Sequence, residues 1–139
     1  MSIDKIISDI NSINSATDED QLKKLDDSVR LLGECDSPEL AIDSMLGVFE
    51  RFPEDDGFEV FWTVVHALES LSGYEEKLLM SLNRTPSEIG VLMINRLINS
   101  GVSRIGTTEL IDFLREIAND PKVASGLRDT AGDFVKDQE

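Results

Sequence analysis

Apolar residues recur along most of this chain at intervals of three and four, the spacing of a helix that buries one face. Ile3, Ile6, Ile7, Ile10 and Ile13 form one narrow stripe. Leu22, Leu25, Val29 and Leu32 form a second, with Lys23, Lys24, Asp26 and Asp27 turned outward. The strict alternation of a half-buried strand is almost absent. Three segments place a capping residue before a proline at the first helical position: Ser37-Pro38-Glu39-Leu40, Thr85-Pro86-Ser87-Glu88 and Asp120-Pro121-Lys122-Val123. Proline is harmless there because its missing N–H would be unpaired anyway. Thr85 and Glu88 also have capping-box spacing. Stops are equally legible. Pro53 ends the helix carrying Met45, Leu46, Phe49 and Phe52, and Gly73 and Gly101 follow the stripes of 58–71 and 89–98 as left-handed caps.

These signals predict helices over 2–14, 19–33, 38–52, 57–71, 74–83, 86–99, 107–118 and 121–136. Short connections make neighbours antiparallel. The fold class is therefore all-α: about eight antiparallel helices stacked as hairpins. Hairpins of roughly 35 residues have the period of helical repeats. Asp120-Pro121-Lys122-Val123, with Leu127 and Ala131, resembles the opening of a HEAT-type helix. The expected architecture is a HEAT-like α-α superhelix, with an irregular helical bundle as the alternative. No linker or low-complexity segment divides residues 1–139, so a single acidic all-helical domain is expected.

Charge adds direction to this picture. The chain carries a formal net charge of -15. Of its 28 acids 19 lie in residues 1–76, against only 5 of its 13 bases. So one-sided a field suits a basic macromolecule, which it would steer into contact. Nucleic acid is excluded as a partner, because phosphate binding needs a basic footprint. A membrane is excluded too: no apolar run approaches the ~20 residues of a span, and the charge repels anionic lipid heads. One cysteine, Cys35, and no cleavable signal sequence point to the cytoplasm. The acids beside Cys35 disfavour its thiolate, so it reads as inert.

The densest chemistry follows Pro53. On a helical wheel Phe58, Phe61, Val64, Val65, Leu68 and Leu71 share one apolar arc, and Glu59, Trp62, His66 and Glu69 fall together beyond its edge. Asp55 and Asp56 stand at the amino end. Two readings stay open. Asp55 or Asp56 can cap the helix, and Trp62 and His66 can be core rim, with His66 paired to Glu69. Alternatively the group is a recognition patch, an aromatic anchor ringed by acids that suits Lys or Arg side chains. Asp26, Asp27, Glu75 and Glu76 are candidate outer contacts; Asp26 and Asp27 lie mid-helix, where no cap is needed. Asp18-Glu19-Asp20 reads as a helix start, and Arg96 as the partner of an acid on the Phe58–Leu71 helix. An enzyme is not expected. One histidine and one cysteine give no metal cluster, and no phosphate loop, nucleophile elbow or EF-hand spacing is present. His66 with Glu69 could do acid–base work, but so could any exposed pair at that spacing. No cofactor and no metal are implied.

The run Phe52-Pro53-Glu54-Asp55-Asp56-Gly57-Phe58, continuing through Phe61-Trp62 to His66 and Leu68-Glu69, resembles small all-helical immunity proteins of bacterial polymorphic toxin systems, contact-dependent or Rhs-type. Arg84-Thr85-Pro86-Ser87 and Asn95-Arg96-Leu97-Ile98-Asn99-Ser100-Gly101 are similar to segments of the same proteins. The resemblance spans Phe52 to Gly101. It implies a protein that binds and neutralises a cognate toxin domain, basic and expected to be a nuclease, through an acidic surface and without chemistry of its own. The competing expectations are a helical-repeat adaptor or scaffold for another basic protein, and an acidic mimic of nucleic acid.

Overall fold

A computed structural model describes residues 2–139, apart from the side chain of Phe58, so the place assigned to that ring in the apolar arc lies outside the described residues. Among the described residues the fold is all-α, as expected. Its helices are α1 (Ile3–Asn11), α2 (Glu19–Leu31), α3 (Ile42–Arg51), α4 (Val60–Glu69), α5 (Tyr74–Arg84), α6 (Glu88–Asn99), α7 (Leu110–Asn119) and α8 (Ser125–Gln138). The isoleucine stripe of α1 buries Ile6, Ile10 and Ile13, and that of α2 buries Leu22, Leu25, Val29 and Leu32. Asp18 caps α2 by accepting from the Asp20 amide at 3.4 Å, which settles the Asp18-Glu19-Asp20 cluster as a helix start.

The three proline openings do not start α-helices where the sequence predicts. Pro38–Ala41 is a 3-10 turn, without a side-chain cap from Ser37, and α3 begins only at Ile42. Before α6 the cap is Ser87, not Thr85: the buried Ser87 hydroxyl accepts the Gly90 amide at 3.0 Å. A Cβ on Gly90 would sit 2.6 Å from Leu82 and 2.7 Å from the Ser87 hydroxyl, so a larger residue there would have to displace the Leu82 side chain or the cap. Asp120 accepts the Lys122 amide at 2.9 Å, a side-chain turn that competes with helix, and α8 waits until Ser125. The segment that resembled a HEAT-type opening is therefore a turn.

The predicted helix 107–118 is also shortened at its start. Arg104–Ile105 (β1) pairs antiparallel with Thr108–Glu109 (β2), with Gly106 at φ +59° in the two-residue turn. The ion pair of Arg104 with Glu109 closes the same rung. Gly73 and Gly101 do adopt left-handed backbone, at φ +84° and +100°.

Helix α3 sits at the centre, packed against α1, α4, α5 and α6, and α6 in turn meets α7 and α8. The core runs continuously from Ile6 to Val135 through Met45, Phe49, Phe61, Leu68, Ile94 and Leu114. Phe49 and Phe61 meet edge to face at 5.5 Å between α3 and α4. Polar clasps fasten the seams. Arg51 donates to the Ile10 and Ile13 carbonyls at 2.9 and 3.0 Å, satisfying the free end of α1. Glu50 accepts from Ser81 at 2.9 Å and Arg84 at 3.0 Å, and Asp43 pairs with Lys77. The common order of these pairs makes α3 and α5 run parallel. Gln138 donates to Asn95 and Asn99, and Thr130 to Glu88, so α6 and α8 run parallel too. No helix among the described residues is long and apolar enough to cross a membrane.

Candidate binding surfaces

The backbone of the Pro53–Glu59 segment decides where the candidate acids go. Gly57 is buried at φ +60°, and a Cβ there would come within 2.2 Å of the Phe61 ring, so the chain can turn this tightly only at glycine. Glu59 follows at φ +75°, a left-handed conformation that a glutamate adopts at a cost. The predicted helix 57–71 is thus a 3-10 turn over Gly57–Glu59 and then α4 from Val60. The wheel that put Glu59 beside Trp62 does not apply to a residue outside the helix. Glu59 instead lines a groove of 650 Å³ between α2 and α4, together with Val60, Thr63, Glu19, Asp26 and Arg30.

Trp62, His66 and Glu69 do share a flank. The Trp62 and His66 rings lie 5.8 Å apart, and the Trp62 side chain is about a third exposed, at 36 %. Glu69 is not paired with His66. It accepts a bidentate pair of bonds from Arg96 of α6, both at 2.8 Å, and the Arg96 guanidinium lies 5.4 Å from the Trp62 ring centre. The expected partnership of Arg96 with an acid of this helix is therefore formed, and it occupies the Glu69 carboxylate. Tyr74, buried at the start of α5, has its hydroxyl pushed up to about 12, first by burial and then by the Glu75 and Glu69 carboxylates.

The outer acids separate into kinds. Asp26 accepts from Thr63 at 2.7 Å and Arg30 at 2.8 Å, clasping α2 to α4. The Arg30 hydrogen bond holds its carboxyl below the ordinary range, with Thr63 adding to it against the effect of burial. Asp27 forms only an exposed pair with Lys23 at 3.1 Å. Glu75 is half-buried and Glu76 exposed at the start of α5, where they complement the helix dipole. Asp55 and Asp56 are exposed on a separate hollow shared with Glu54, Glu88, Gly126 and Leu127. The structure thus divides the ten candidates among the Trp62 flank, the α2–α4 groove, the hollow beside α8 and isolated surface positions.

Sequence reasoning missed the Glu50–Ser81–Arg84 clasp and the row Asp112, Glu116 and Asp120. The row had a signal, since four-residue spacing sets acids along one side of a helix. Glu50 had none, because its partners lie a whole helix away. Among the described residues, no group of three or more His, Cys, Asp or Glu side chains is placed to hold a metal ion. The chain matches no protein-family model, no curated protein and no solved structure.

Proposed function

We propose that this chain is a binding protein rather than an enzyme: an immunity protein that captures and neutralises a basic toxin domain, expected to be a nuclease, in the cytoplasm of the cell it protects. The observation that carries the reading is the fate of the charges. Among the described residues, every basic side chain except Lys122, Arg128 and Lys136 is engaged by the protein's own acids or, for Arg51, by its own carbonyls. Among the same residues Glu54, Asp55, Glu59, Glu75 and Glu76 have no cation within ion-pair distance. The negative excess therefore stays at the surface, where it can meet Lys and Arg of a partner. Trp62 adds a partly exposed aromatic ring to the surface.

Co-expression with a candidate toxin domain encoded beside this chain's gene, followed by co-purification and rescue of growth, tests the proposal. Capture and rescue support it. Continued killing with no complex rejects it, and capture of a basic protein that is not toxic supports the adaptor reading. Within a complex that forms, Asp55→Lys with Asp56→Lys should weaken binding and protection while circular dichroism shows the fold intact. Undiminished protection in that variant places the interface away from the two aspartates.

A further inference from the structure

The hollow that holds Asp55 and Asp56 is one end of a longer depression. Its neighbour, a cleft of 460 Å³ between the α5–α6 and α7–α8 turns, shares Glu54 and Leu127 with it. At the far side that cleft shares Asn83, Phe113 and Glu116 with a third depression of 390 Å³, which reaches Thr107–Glu109 of the hairpin. The three therefore adjoin in a row that forms a groove from the β-turn to the amino end of α8. Its floor is apolar: Leu82, Phe113, Ile117, Val123 and Leu127 all belong to the core.

The rim is acidic, and hydrogen bonds fasten it at one corner. The Pro53 carbonyl accepts the Glu88 amide at 2.7 Å, and Glu88 accepts the Thr130 hydroxyl at 2.5 Å, so the loop bearing Glu54–Asp56, helix α6 and helix α8 are tied at one point. Glu116 and Asp120 enter from α7 and its end. Arg84, the one arginine in the cleft, is already held by Glu50. Lys122 is the remaining cation along the cleft, against Glu54, Glu116 and Asp120. An apolar trough between uncancelled carboxylates favours a chain segment that alternates cationic and apolar side chains, since each kind meets its complement.

We propose that this groove, on the turns of α5–α8 and not on the Trp62 flank, receives a Lys- or Arg-rich segment of a partner protein that also carries apolar side chains. The proposal rests on the reading of the protein as a binder of basic proteins, and adds where and by what chemistry the partner is held. Leucines of such a segment lie on Phe113, Val123 and Leu127, and its cations reach Glu54 and Glu116.

The test uses the full-length ¹⁵N-labelled protein, titrated with a synthetic peptide of lysine and leucine and with oligolysine of equal charge. Tighter binding of the lysine–leucine peptide is expected, with amide shifts concentrated at Asn83, Glu116, Val123 and Gly126. Glu54→Lys with Glu116→Lys, both exposed and neither bonded to another side chain among the described residues, should weaken that peptide about tenfold or more, whereas Glu34→Lys with Glu39→Lys, an equal charge change away from the groove, should cost less than about threefold. Equal weakening in both variants, or shifts confined to α2 and α4, overturns the groove while leaving the acidic-binder reading standing. Failure of both peptides to bind overturns the two together.

Discussion

The Trp62 flank and the α5–α8 groove both combine carboxylates with apolar surface, yet they are built to opposite ends. On the flank the acid and the aromatic face the protein's own Arg96, which bonds Glu69 twice and lies over Trp62. In the groove Glu54 and Glu116 lie beside buried side chains, and among the described residues neither forms an ion pair. A charged group already satisfied inside the molecule offers little to a partner, because a newcomer must first displace what is there. Net charge along the sequence is therefore a poor guide to available charge. The first half holds more acids, but Asp9, Asp26, Asp27, Asp43, Glu50 and Glu69 are all paired.

The joint between the two regions is Gly57, and replacing it should have the largest effect. In Gly57→Ala the new methyl overlaps Phe61 and holds an unfavourable φ, so both surfaces should lose their shared support, at about 3 kcal/mol or more. Chemical denaturation would measure the loss. A cost below about 1 kcal/mol would show that the turn relaxes freely and that the flank and groove are not mechanically joined.

High pH should discriminate next. Tyr74 is the single tyrosine, so ultraviolet titration reads it alone. Its folded value of about 12 stands above the ordinary 10, so its contribution is complete below pH 10 and lost as pH rises through 12. The expected loss is about 2–3 kcal/mol, arising on the flank side of the molecule. Ionisation at pH 10 in the native protein would show that the Tyr74 hydroxyl is open to solvent.

At the other end of the scale, Glu50 and Asp26 have folded values below their ordinary ones. For Glu50, burial opposes the shift and the Arg84 and Ser81 hydrogen bonds overcome it. Their contributions are therefore present above the unfolded carboxylate range and fade as pH falls through the folded values. Glu50→Ala should cost about 1–2 kcal/mol at neutral pH, chiefly by stranding the buried Ser81 hydroxyl, since Arg84 is half exposed and its share is screened. It should also flatten the acid limb of the stability–pH curve. An unchanged limb would assign acid sensitivity elsewhere.

The smallest effect on folding belongs to Trp62→Ala, about 1 kcal/mol, because the ring is a third exposed and covers Arg96 rather than core. Set beside a partner, the same variant sharpens the comparison: a loss of about 2 kcal/mol or more in binding makes Trp62 an anchor, and a smaller one leaves recognition to the groove.

Much of the fold was legible because helical burial is a local code. Stripes such as Ile6, Ile10 and Ile13 mark a buried face wherever the helix packs, and Gly73 and Gly101 show their left-handed backbone by residue type alone. The starts were less legible, since an Asp-Pro or Ser-Pro pair is compatible with a 3-10 or side-chain turn as well as with a helix. Only contacts elsewhere choose between them. The hairpin of Arg104–Glu109 was too short to leave a periodic signal. What the chain determined by itself is an all-α, strongly acidic domain, because periodicity, breakers and charge are properties of composition and order. Tertiary structure alone decided which acids are consumed and which remain. Glu69 meets Arg96, Glu50 meets Arg84, and Glu54 comes to rest beside Leu127, because packing sets distances between residues far apart in the chain and electrostatic pairing falls off over a few ångströms.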